Sequence, residues 1–104
     1  MELYNTEPKQ FKYKELGLVE GNTVQSRFFI RDFLAGVRAI FGLEVIEYTE
    51  LLKKSRKIAK ERMIEEAEEL DADAIINIRY MTSEIASQVS EVMIYGTAIK
   101  KVSK

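Results

Sequence analysis

An α+β subunit is the fold class that this 104-residue sequence predicts: a three-stranded antiparallel or mixed sheet packed on one long helix plus a short helix, assembled as a homo-oligomer. Three observations predict it. A helical-period apolar stripe runs from Glu47 to Leu70 with no Gly or Pro inside it, alternating stretches flank that stripe on both sides, and the apolar surface exceeds what one small subunit can hide.

The first strand is expected over Tyr13 to Glu20, where aromatic and charged residues alternate before the turn formers Gly21 and Asn22. Asp32 stands at an N-cap position for a short helix from Phe33 to about Phe41, in which Phe33, Leu34, Val37, Ile40 and Phe41 share a face and Gly42 ends the run. In the long helix Tyr48, Leu51, Leu52, Ser55, Ile58, Ala59, Met63, Ala67 and Leu70 form the stripe, and Asp71-Ala72-Asp73 closes it. A second strand follows over Ala74 to Met81, rich in β-branched residues. After a polar loop, Thr82 to Gln88, the last strand runs from Val89 to Val102. It sets Val92, Ile94, Gly96 and Ala98 on one face and Val89, Met93, Tyr95 and Ile99 on the other, so both faces require cover.

A helix of about 24 residues is roughly 36 Å long, whereas a domain of this size is roughly 33 Å across. Its charges also run against the macrodipole: Lys53, Lys54, Arg56, Lys57 and Lys60 load the first half, and Glu65, Glu66, Glu68 and Glu69 the last turns. Either this is a solvated face, or the acidic end of one copy meets a basic stretch on the next, as in a head-to-tail ring.

Composition narrows the chemistry. Sixteen Lys+Arg against 17 Asp+Glu give a net charge of -1, so there is no long-range attraction for nucleic acid or an anionic membrane. No apolar run approaches the length of a membrane span, and the first residues lack a leader pattern, which makes the cytoplasm the expected location. Cysteine and histidine are both absent. That removes the thiolate and imidazole ligands soft metals require, and the usual activators of a serine nucleophile. A hard cation held by Asp71 and Asp73, with Asn77 nearby, is the remaining metal option; both aspartates also serve as helix terminators. The interleaved Lys9-Gln10-Phe11-Lys12-Tyr13-Lys14 reads as a strand with aromatics inward rather than as a nucleic-acid platform.

Four stretches together resemble the YbjQ-like family: Phe29-Ile30-Arg31-Asp32-Phe33-Leu34-Ala35-Gly36-Val37-Arg38-Ala39-Ile40, the long helix from near Tyr48, Leu70-Asp71-Ala72-Asp73-Ala74-Ile75-Ile76, and Gly96-Thr97-Ala98-Ile99-Lys100. The likeness covers about Leu18 to Lys100. It implies a dodecin-like subunit assembled as a homopentamer or a multiple of it, and a family known by a heavy-metal-binding label without an established activity.

Within the shared run, Arg31, Asp32, Gly36 and Arg38 are the candidates for a ligand or interface site. Gly36 permits close approach, and the two guanidinium groups can fork a carboxylate or phosphate at a subunit junction or bridge to the next copy. The sequence thus predicts a single domain over 1–104 that binds itself and a small anionic ligand at its interfaces, without cofactor, nucleic acid, membrane or catalytic constellation. The alternatives are oxygen-ligand metal binding and an enzyme site built between subunits.

Overall fold

The computed structural model describes residues 1–26, 45–86 and 89–102. Their elements are β1 (Glu2–Leu3), β2 (Tyr13–Ser26), α1 (Val45–Glu69), β3 (Ala74–Ala86) and β4 (Val89–Lys101). The strands form one sheet in the order β1-β3-β4-β2, with β1 parallel to β3 and the other pairs antiparallel.

The sheet therefore has four strands and mixed direction, not the three strands expected. The additional strand is β1, paired as Glu2 with Ala74 and Leu3 with Ile75. Two residues are too few to display an alternation, so this strand exists only through its partner. Two boundaries also move. Gly21 and Asn22 do not turn; β2 continues to Ser26, Gly21 opposite Ile94 and Asn22 opposite Met93. The expected loop from Thr82 begins as ladder, since β3 continues to Ala86 with Thr82 opposite Val92 and Ser83 opposite Glu91. In both places cross-strand partners outweigh local propensity. The short helix expected from Phe33 lies outside the described residues.

Helix α1 lies across β2 and β4. Ser55, Ala59, Met63 and Ala67 recur every four residues and are all buried, so they form one ridge. It packs on Val19, Ile75, Ile94 and Ala98. Gly21 sets the depth of this packing. A methyl group there would come within 2.0 Å of the Ala59 carbonyl oxygen and 2.5 Å of the Met63 nitrogen. Polar links close the seam: Thr23 Oγ1 donates to Ser55 O (3.0 Å), and Arg62 Nη1 donates to Asn22 O (2.6 Å). Over this span the chain's own sheet shelters the helical stripe, although Leu70, at its end, stays 44% exposed.

The opposite sheet face has its own small core, in which Ala74, Ile76 and Ile99 lie under Tyr4, Phe11 and Tyr13. The chain measures 59 × 27 × 21 Å with a radius of gyration of 17.3 Å, against about 13 Å for a compact domain of this length.

Gly21→Ala forces overpacking against helix backbone, and a loss of about 3 kcal/mol is expected in urea denaturation. Exposed Glu65→Ala should stay within about 0.5 kcal/mol of the parent. Equal stability of the two variants would show that α1 is not seated on Gly21.

Candidate functional site

The acidic pair singled out from sequence sits where α1 ends. Ala72 N donates to Ala67 O (3.1 Å) and Asp71 N to Glu68 O (2.9 Å), with Asp71 in the left-handed region at φ 58°. This is a Schellman cap with aspartate in the place glycine usually takes. The last turn of α1 carries no basic residue. Lys100 of β4 supplies the charge instead, its Nζ donating to Asp71 O (3.0 Å) and Oδ2 (3.1 Å) and lying 3.7 Å from Asp73 Oδ1. The Asp71 carboxylate raises the Lys100 pKa above its ordinary value. Asp73 Oδ2 also accepts the Lys101 N–H at 2.7 Å. An ammonium group thus occupies the position between the two carboxylates that a hard cation would take.

A second ionic cluster fastens β1. Lys101 Nζ donates to Glu2 Oε2 (2.8 Å) and stands 4.7 Å from the Phe11 ring centroid, while the Tyr4 hydroxyl donates to Glu2 Oε1. The Lys101 hydrogen bond, then that of Tyr4, holds the Glu2 carboxyl below its ordinary value of 4.5; the same bond to Glu2 lifts Lys101 above 10.5.

A concave surface lies beside α1. Because the helix covers β2 and β4 and meets β3 at Ile75, the floor at Leu3, Ile78 and Tyr80 stays open among the described residues. Lys53, Arg56, Lys57 and Lys60 wall one side of a groove of about 430 Å³, together with Glu61 and Tyr80. Lys60 and Tyr80 also line an adjoining hollow of about 250 Å³ that includes Leu3, Ile78 and Ile94. The basic residues recur at three- and four-residue spacing, which places them on one helix face. Ile78 and Tyr80 reach the floor through a bulge. Between the pairs Ile76–Thr97 and Arg79–Tyr95, β3 has one more residue than β4, and Asn77 takes φ 54° there.

Of the sequence candidates, Asp71 and Asp73 are brought together, on Lys100. Arg31, Asp32, Gly36 and Arg38 lie outside the described residues. The groove was half visible beforehand as a basic run on the helix; Tyr80 and Ile78 gave no signal, since their side of the sheet depends on the bulge. Among the described residues no group of three or more acidic side chains is placed to hold a metal ion, and no helix is long and apolar enough to cross a membrane.

A family model described as "Putative heavy-metal-binding" matches residues 4–102. A UPF0145 protein of Helicobacter hepaticus is 48% identical over 103 residues, 99% of this chain and 100% of its own. Another, of Halorubrum lacusprofundi, is 49% identical over 102 residues, covering 96% and 98%. The crystal structure of a DUF74-family protein of unknown function from Pediococcus pentosaceus aligns over 98% of both chains with a TM-score of 0.68 at 21% identity, a likeness of fold.

Replacing Asp71 with Gly should be neutral or stabilising by up to about 1 kcal/mol in thermal unfolding, because the left-handed residue loses its side-chain penalty. A marked loss would show that the carboxylate does more than cap. Docking of β1 should depend on pH. With Glu2 lowered, its contribution is present above about 4.5 and is lost as pH falls through the folded value; with Lys101 raised, it is present below about 10.5 and is lost as pH rises past the folded value. Exchange of the Tyr4 amide, which bonds to Ile75 O at 2.9 Å, reports this, and protection unchanged across the acid limb would count against it.

Proposed function

Since this chain belongs to the YbjQ-like family described as "Putative heavy-metal-binding", whose UPF0145 relatives carry no activity in their names, we propose that it works as a homo-oligomeric small-ligand-binding or scaffold protein. The observation that carries this is the sheet face turned away from α1. Leu18, Val24 and Met81 are 68%, 53% and 48% exposed there, around half-buried Met93 and Tyr95. Large apolar side chains left exposed on one sheet face, here interleaved with Glu20, Asn22 and Arg79, mark an interaction site. Among the described residues the sheet order also leaves the 14-residue β2 at an edge, where side chains of α1 already engage Glu20 N and Asn22 O. The elongated shape supports the same reading. A second copy covers both surfaces; a homopentamer or a multiple of it is the assembly that the family resemblance implies. Lacking cysteine and histidine, the chain has no nucleophile–base pair of the usual kind, and we read it as a binding protein rather than an enzyme. The absence of cysteine suits a reducing cytoplasm.

The donor set does not fit the heavy metal of the family description. Soft ions select thiolate, imidazole or thioether. Of these only methionine occurs, with Met81 and Met93 as a cross-strand pair, and the thiolate and imidazole ligands of a zinc site are missing from the sequence. Oxygen ligation at Asp71 and Asp73 would have to displace Lys100.

Light scattering after gel filtration tests the assembly. A mass several times the 12.0 kDa of one chain is expected, falling towards it in Leu18→Glu or Met81→Glu. A wild-type monomer at micromolar concentration would overturn the reading. Calorimetric titration with Zn²⁺ or Ca²⁺ should show no saturable uptake at micromolar metal; stoichiometric uptake would favour the metal reading.

A further inference from the structure

The groove between α1 and β3 has two unlike ends. One is floored by Leu3, Ile78 and Ile94 beside Tyr4 and Asn5, and the other is walled by Lys53, Arg56, Lys57 and Lys60 with Glu61 as the only acidic side chain lining it among the described residues. Tyr80 and Lys60 line both parts, so the two are continuous. Tyr80 is 49% exposed and lines the same groove as the cations. On a chain of net charge -1, this concentration of cations on one helix face is local rather than general. Like charges three and four residues apart on a helix repel one another, and an anion seated among them relieves that repulsion.

We infer that this groove is a binding site for a small amphiphilic anion, its phosphate or carboxylate head held by Arg56, Lys57 and Lys60 and its short apolar or aromatic body lying over Tyr80 and Ile78. A purely ionic site would not need the apolar floor, and a purely apolar one would not carry Arg56, Lys57 and Lys60. The inference gives a ligand class to the small-ligand reading above and rests on it only in that the protein binds a ligand; it does not require the oligomer.

The experiment uses the full chain with octyl phosphate, inorganic phosphate and 1-octanol as probes, followed by calorimetry and by amide chemical shifts. Octyl phosphate should bind about ten-fold or more tightly than either of the others, weaken as salt rises, and shift amides around Lys60, Ile78 and Tyr80. Lys60→Glu and Arg56→Glu should each weaken it about five-fold or more. Should either reversal unfold the chain, Lys60→Gln and Arg56→Gln take its place. Equal affinity for 1-octanol, shifts confined to the Leu18 and Met81 face, or unchanged affinity in the variants would overturn the inference. So would a loss of assembly mass in Lys60→Glu without loss of octyl phosphate binding, since the basic wall would then serve the acidic helix end of a second copy. A monomer that binds octyl phosphate sinks the oligomer and spares this site; an oligomer that does not bind it sinks this site alone.

Discussion

The depth at which α1 presses on β2 governs the rest of the structure. With only a hydrogen atom at Gly21, helix backbone approaches strand backbone, and Ser55, Ala59 and Ala67 of the ridge are small enough to follow while Met63 fills the core beside them. Arg62 and Thr23 fix the lateral position by bonding across the same seam. A helix held so firmly over β2 and β4 reaches the start of β3 at Ile75 but not Tyr80 further along it. The open floor beside it, and the basic wall above that floor, follow from this off-centre placement.

The same placement relocates the surface that calls for a neighbour. Helix length alone predicts a stripe too long for one subunit to shelter, yet between residues 55 and 67 its own sheet buries the ridge. The unsheltered apolar area lies instead on the far side of the sheet. There the aromatic cap of Tyr4, Phe11 and Tyr13 covers Ala74, Ile76 and Ile99 but does not hide Leu18, Val24 or Met81. The assembly proposed above therefore rests on that face rather than on the helix. The unfavourable charge order along α1 is eased at one end by Lys100, which brings a cation to the carbonyl end of the helix from another element.

How much was legible in advance varies with the range of the interaction responsible. The stripe from Glu47 to Leu70 located α1 (Val45–Glu69) because a four-residue ridge is written in neighbouring letters. The alternate faces of β4 also hold, since Val92, Ile94, Gly96 and Ala98 are all buried. Gly21 misled: a residue that ordinarily breaks strands is here demanded by a helix some forty positions away. β1 and the polar end of β3 left no trace because their order comes from partners rather than from their own residues. For the site, Asp71 and Asp73 could be read as helix terminators, but Lys100 between them could not.

The extra residue at Asn77 acts as a phase shifter for everything after it in β3. In an unbroken strand Arg79 and Met81 would face the groove, while Ile78 and Tyr80 would turn to the other side. One inserted residue therefore chooses between an aromatic lining and a cationic one, leaving the scaffold intact. Relatives that differ by a single insertion or deletion at this point would keep the same architecture yet present inverted chemistry, an evolutionary lever far coarser than any point substitution.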